Sequence, residues 1–218
     1  MKKTIIIFFG PPGSGKGTQS DMLGQKLKLP VISPGELLRY EEEKRSKLGR
    51  QVSKSLASGK LVPDGIIDKM LNTRLARTDT KRGFILDGYP RNKPQLESLK
   101  KKIKKIFNIN DKLTAIYIDV SDREVKSRIS GRRVCDCGAA YHLKYNPPIH
   151  SGVCDLCGKK IKQRNDDKPK IIEERLKHFH KVIKPIINYF KKQYIYIKID
   201  GEQSIKEIEK EIIKKVKS

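Results

Sequence analysis

The chain has 218 residues, enough to bury a substantial core as one domain with insertions or as two small domains. Lysine and arginine number 49 against 25 aspartates and glutamates, a formal charge of +24 with a pI near 9.9, which favours polyanionic partners (nucleotide, nucleic acid or membrane surface) and is silent on fold. No apolar stretch approaches the ~18 residues of a membrane span, and the apolar run after Lys2 and Lys3 enters a glycine-rich loop, not a small-residue cleavage site, so the expected location is cytoplasmic with no membrane partner.

In chain order, Ile5–Phe9 is a buried-strand run that drives into GPPGSGKGT, Gly10 to Thr18. A helix follows to residue 28, with Met22, Leu23 and Leu27 at core spacing. Pro30–Ser33 reads as a short second strand. Ser33 is placed to cap the next helix and Pro34 to start it. After the charged run Glu41–Lys47, a helix continues to about Ala57, and Ser58, Gly59 and Lys60 turn the chain into Leu61, Val62, Pro63 and Asp64. A helix over about 63–77 presents Ile66, Met70 and Leu71 as its buried stripe.

Gly83–Asp87 is a third strand ending in a carboxylate, followed by the loop Gly88, Tyr89, Pro90 and Arg91 and a lysine-rich helix over 92–106. Leu113–Val120 is a fourth buried strand. Ser121–Ser130 is a helix in which Ser121 and Glu124 have capping-box spacing. Residues 131–167 break the pattern: they hold all four cysteines, the Pro147–Pro148 pair and no long apolar periodicity, as an inserted module would. A helix from about Pro169 to Lys191, a fifth strand over Tyr194–Ile199 and a helix over Ser204–Lys217 complete the chain. Strands alternating with helices predict an α/β fold, a five-stranded parallel sheet covered on both faces. Ligands of such sheets bind beyond the carboxyl ends of the strands.

The spacing from Gly10 to Gly15 and Lys16 is that of a phosphate-binding loop. Glycines let successive N–H groups turn toward anionic oxygens, the next helix adds its positive end, and Lys16 brings a full charge to the β- and γ-phosphates. Gly17 stands where the general pattern has Ser or Thr, before Thr18. Asp87, at the end of an apolar strand, is the expected acidic partner of Mg2+, through water. Arg128 and Arg132 are four apart and are expected to share one helix face; Arg39, Arg91, Arg164 and Arg175 complete a set suited to concentrated phosphate charge. Cys135 and Cys137, then Cys154 and Cys157, form two close pairs that fit a structural Zn2+ site. The one-residue gap of the first pair leaves open a site of three cysteines with His142 or an aspartate, or a module that has lost its metal.

The motifs GPPGSGKGT, DGYPRNKPQ, SGRRV and RNDD, in this order, resemble the adenylate kinases of the long bacterial type with a zinc-bearing lid, and the resemblance runs nearly end to end. The family usually writes its loop with Gly between Lys and Thr, and GAAYHLKYNPP followed by GVCDLCG is similar to its lid. The resemblance implies a P-loop core over 1–32, 63–130 and 168–218, a helical monophosphate-binding insert at 33–62, a zinc-ribbon-like lid at 131–167, and a monomer. It implies Mg-dependent, reversible conversion of ATP and AMP to two ADP. Gly13, Ser14, Gly15, Lys16, Gly17 and Thr18 would hold the ATP phosphates, with Arg128 and Arg132 clamping from the lid side. Ala140 and Tyr141 would cover the ATP base or ribose, and Gln203 would meet the adenine edge. Arg39, Arg91, Arg164 and Arg175 would bind the AMP phosphate and the transferring group. Pro34, Lys60, Leu61, Val62, Gly88, Tyr89, Pro90 and Gln95 would line the AMP side, Gln95 offering an amide to the adenine edge. Lys16 with Arg91, Arg128, Arg132, Arg164 and Arg175 would be the catalytic set.

Two other function classes compete. One is a monophosphate kinase with a UMP or CMP acceptor or a GTP donor; Gln95 and the zinc-type lid favour AMP. The other is a basic, zinc-bearing nucleic-acid binder, which needs aromatic residues within its basic patches. Tryptophan is absent, and the runs Lys100–Lys105 and Lys206–Lys217 contain no aromatic residue, so no specific nucleic-acid partner is expected.

Overall fold

The computed structural model describes residues 3–44, 47–57, 62–108 and 110–217. Lys60 and Leu61, expected beside AMP, lie outside the described residues. β1 (Thr4–Phe9) leads into α1 (Lys16–Leu27), β2 (Val31–Ile32), α2 (Pro34–Glu43), α3 (Lys47–Ala57) and α4 (Asp64–Leu75). β3 (Gly83–Asp87), α5 (Lys93–Ile106), β4 (Lys112–Asp119) and α6 (Asp122–Gly131) follow. The short strands β5 (Arg132–Val134) and β6 (Ala140–His142) pair antiparallel. Then come α7 (Pro169–Gln193), β7 (Ile195–Asp200) and α8 (Ile205–Lys217).

The main sheet has five strands in the order β2-β3-β1-β4-β7, all parallel. β1 lies at its centre, and its side chains alternate between two cores as the pleat requires. Ile5, Ile7 and Phe9 pack with α4, α5 and the carboxyl half of α7, through Leu71, Leu99 and Phe190. Ile6 and Phe8 pack on the other face with α1, α6 and α8, through Leu23, Ile129 and Ile212. This two-sided burial explains why β1, β3 and β4 read as continuous apolar runs.

Local expectations met tertiary competition in several places. Ser33 occupies the cap position of α2, but its hydroxyl makes no capping bond; Pro34 at the start leaves one fewer N–H to satisfy. On α4 the fully buried stripe is Ile67 and Leu71, with Ile66 and Met70 half-buried. Ser121 caps α6 by accepting from the Glu124 amide, yet the return half of the box comes from Glu202, which accepts from the Ser121 amide at 3.0 Å. Glu124 is engaged instead with Arg128 and Tyr145. Among the described residues no helix is long and apolar enough to cross a membrane.

Candidate active site

The loop between β1 and α1 sits at the carboxyl ends of the strands. Gly13 (φ 74°) and Gly15 (φ 85°) take left-handed backbone conformations, which only glycine adopts without cost. Gly15 precedes α1 directly, so the first N–H groups of that helix open onto the loop. Lys16 Nζ folds back to donate to the Pro11 carbonyl at 3.0 Å. Burial, opposed by Asp87 and reinforced by Arg91, Arg175 and Arg132, pushes its pKa down to about 7. Gly88 (φ 67°) brings the next loop against it: a Cβ there would lie 3.3 Å from Lys16 Cε and 3.2 Å from an Arg91 guanidinium nitrogen. A Cβ on Gly35 would stand 3.4 Å from nitrogens of both Arg39 and Arg91.

The cations converge without enough carboxylate to neutralise them. Burial first, then Arg175 and Arg39, push Arg91 down to about 10 against Asp87 and Asp166. Burial with Arg39 and Arg132 pushes Arg164 down to about 9. Burial also lowers Arg175, whose Nη1 donates to Asp166 Oδ2 at 2.8 Å. Burial would raise Asp166, but Arg175, Arg132, Arg164 and Arg39 together hold it below the usual carboxylate range. Arg132 forks onto the buried Asp167, with Nε 2.8 Å from Oδ2. Among the described residues, three buried polar atoms here have no hydrogen-bond partner: Ser14 Oγ, Asp87 Oδ1 and Arg164 Nε. Unpaired buried groups of this kind are costly and rare, and they cluster where a ligand completes them.

Lys16, Arg39, Arg91, Arg132, Arg164 and Arg175 therefore act on one another electrostatically in one place. Arg128 differs. The expectation that Arg128 and Arg132 share a helix face fails because α6 ends at Gly131 and Arg132 opens β5. Arg128 donates to Glu124 at 2.7 Å and lies 5.8 Å from the Tyr145 ring.

Other side chains are placed differently from the expectation. Tyr141 is buried inside the cysteine module, its hydroxyl 3.4 Å from Cys154 Sγ and accepting from the Asp155 amide at 2.8 Å; Ala140 beside it is exposed. Gln95 is buried with both amide heteroatoms in use: Nε2 donates to Asp64 at 2.7 Å and Oε1 accepts from the Arg91 amide at 2.7 Å. Val62 and Tyr89 are core residues, and the Tyr89 hydroxyl donates to Asp68 at 2.9 Å. Pro34 and Pro90 are buried, Thr18 is exposed, and Gln203 donates to Glu211 at 3.2 Å. Asp64, missed in the sequence, organises the Arg91 loop: it accepts from Asn92 at 3.1 Å and from Gln95. Its signal was only a carboxylate in the first turn of a helix.

The cysteine module forms its own small site. The four Sγ atoms lie within 4.8 Å of one another. His142 is not among them; its Nδ1 accepts from the Lys144 and Tyr145 amides. Each pair sits on a matching turn, Gly138 donating to the Cys135 carbonyl at 3.0 Å and Gly158 to the Cys154 carbonyl at 2.9 Å. The Tyr141 hydroxyl first, then the Leu156 and Cys157 amides, lower the pKa of Cys154 to about 6.

The family model described as adenylate kinase matches residues 8–195. An adenylate kinase from Methanocella arvoryzae is 42% identical over 205 residues, 93% of this chain and 94% of that protein. One from Thermococcus kodakarensis is 42% identical over 209 residues, 95% of this chain and 91% of that protein. One from Caldicellulosiruptor bescii is 38% identical over 210 residues, 96% of this chain and 97% of that protein.

Proposed function

The chain belongs to the adenylate kinase family, and we propose from its geometry how it moves a phosphoryl group reversibly between ATP and AMP. It is a phosphotransferase. The observation that carries the reading is the surplus of half-buried cations around the β1–α1 loop, which two facing polyphosphates would neutralise.

The acceptor oxygen of AMP is already ionised at neutral pH, so the reaction needs alignment and charge cancellation more than a strong base. The amides of 13–18 and Lys16 take the ATP phosphates. Arg91 and Arg39, joined at Gly35, take the AMP phosphate. Arg132, Arg164 and Arg175 come from the module's ends and from α7, and they gather charge around the transferring group. Arg128 joins only after leaving Glu124. Gly13 to Thr18 thus face the donor, and Gly88 allows the Arg91 loop to approach Lys16. Residues 33–62 and 131–167 are the two parts that would close over the body at 1–32, 63–130 and 168–218, keeping water from the phosphoryl group.

Asp87 suits Mg2+: among the described residues its buried Oδ1 has no hydrogen-bond partner, and its Oδ2 would lie 3.7 Å from a Cβ on Gly17 of the loop. The ion, arriving with ATP, would spread the charge that builds on the phosphates. The cysteines suit Zn2+. A tetrahedral site with Zn–S near 2.3 Å has S–S edges of about 3.8 Å, and the Cys135–Cys157 and Cys137–Cys154 pairs stand at 3.4 and 3.6 Å. The chain acts as a monomer in the cytoplasm.

A coupled assay for ADP from ATP plus AMP tests the reading. ADP should form with Mg2+ and stop with EDTA, and neither nucleotide alone should suffice. Because Gln95 is engaged by Asp64 and Arg91, the assay should include UMP, CMP and GMP as acceptors and GTP as donor. Faster turnover with one of those would replace the AMP or ATP assignment.

A further inference from the structure

The sheet is parallel, and the helices return antiparallel to it. The carboxyl ends of the helices therefore collect at the pole opposite the nucleotide loop. Lysine dominates that pole. The last turns carry Lys104 and Lys105 in α5, Lys191 and Lys192 in α7, and Lys214, Lys215 and Lys217 in α8. Contacts tie these ends together: Lys3 Nζ donates to the Ile106 carbonyl at 3.1 Å, and Lys112 Nζ to the Val216 carbonyl at 3.0 Å. Lysine in a last turn complements the helix dipole, but that asks for only about half a unit charge per helix. Among the described residues, Lys104, Lys105, Lys191, Lys192, Lys214 and Lys217 are exposed and form no ion pair.

Aromatic rings lie at the same pole, although the lysine runs of α5 and α8 contain none. Tyr194, just before β7, packs edge-on to Phe107 after α5, with centroids 6.1 Å apart, and to Tyr189 of α7 at 5.9 Å. Tyr189, Tyr194 and Phe107 are each half-buried. Lys100 Nζ stands 4.5 Å from the Tyr189 ring centre and Lys191 Nζ 5.1 Å from that of Tyr196. Among the described residues, Ile195 is the one large aliphatic side chain exposed here; most of the other exposed apolar residues, such as Ile149 and Leu156, are on the cysteine module.

We propose that this pole binds single-stranded polynucleotide: phosphates on the lysines, bases against the tyrosine and phenylalanine edges. A lipid surface fits less well, because a membrane-bound face needs several protruding apolar side chains beside its cations, and among the described residues all but Ile195 and Tyr40 of these are on the cysteine module. The expectation of no nucleic-acid partner rested on the lack of aromatics within the lysine runs; the fold brings the aromatics to them.

The test uses the full chain, with saturating ATP filling the nucleotide loop. Labelled oligouridylate and oligothymidylate of about twenty nucleotides, a duplex of equal length and phosphatidylserine vesicles are titrated in turn. Both single strands should bind several-fold more tightly than the duplex, with affinity falling steeply as salt rises. The ratio between them tells RNA from DNA as the source. The variant Lys105→Glu, Lys191→Glu, Lys192→Glu should weaken binding at least about tenfold with phosphotransfer unchanged. Its charge-matched counterpart on the module, Lys144→Glu, Lys159→Glu, Lys160→Glu, should change it less than about twofold. Equal losses in the two variants, equal affinity for duplex, binding to vesicles alone or no binding would each overturn the proposal.

Discussion

The sheet body and the cysteine module keep their shapes by different means. In the body, β1, β3 and β4 are buried on both faces between two extensive cores. In the module the buried cluster is Cys135, Tyr141, Cys154 and Ile161, with Ala139 half-buried against it. Apolar burial is worth about 25 cal/mol per Å2, and ordering a residue costs about 1–2 kcal/mol. So small a cluster cannot offset the ordering of residues 131–167, and a bound metal would supply the difference. Both regions nevertheless feed one site: Lys16 and Arg91 belong to the body, Arg39 comes from α2, and Arg132 and Arg164 lie at the module's two ends.

The largest effect should come from cutting the body's contribution to the site while leaving its core alone. Lys16→Met or Arg91→Ala should lower kcat by about a thousandfold or more, and circular dichroism should show an intact fold. Lys16→Met should melt no lower than the parent at pH 7, because it removes a charge that burial disfavours. Near-parental activity in either variant would break the assignment.

Removing the module's support should come next. The chain should carry about one zinc by metal analysis. Cys154→Ser, or strong chelation, should expose 131–167 to limited proteolysis and cut activity by about ten- to a hundredfold. The body should keep its helical signal. Cooperative loss of both regions together would show that the difference drawn between them is false.

A pH series sharpens the same contrast. The Lys16 pKa is lowered from 10.5 to about 7 in the folded chain. Between those values the unfolded chain binds the extra proton, so stability should rise with pH. The penalty is fully present below about pH 7. Phosphate binding favours the charged amine, so ATP affinity should fall as pH rises above about 7, by up to about tenfold per unit. Calorimetry in two buffers should show proton uptake on ATP binding, and Lys16→Met should abolish it.

The smallest effect concerns the Arg91 loop. Asp64→Ala frees Gln95, and with it the Arg91 amide. The acceptor KM should move several-fold with kcat less affected, and stability should drop by about 1 kcal/mol in denaturant titrations. A change in kcat alone would assign Asp64 another role.

Much of the fold was legible because it depends on local pattern. Two-sided apolar runs named the strands, and the glycine loop with Lys16 named the end of the sheet where the cations gather. The four cysteines were legible as a set, and their Sγ atoms converge without His142. Pairings across the chain were not. Glu202 displaced Glu124 at the cap of α6, and Arg132 left the helix of Arg128 for Asp167. Tyr141 turned into the module, and Gln95 turned to Asp64.

The sequence by itself determined which elements form, which end of the sheet carries the glycine loop and which residue types gather there, since those follow from periodicity, turn chemistry and charge along the chain. Only the tertiary structure decided which polar partner each side chain takes, and that the lysines of α5, α7 and α8 share a pole with Phe107, Tyr189 and Tyr194. A buried donor or acceptor takes whichever partner the folded chain holds within reach. Residues far apart along the chain become neighbours only through the order of the strands.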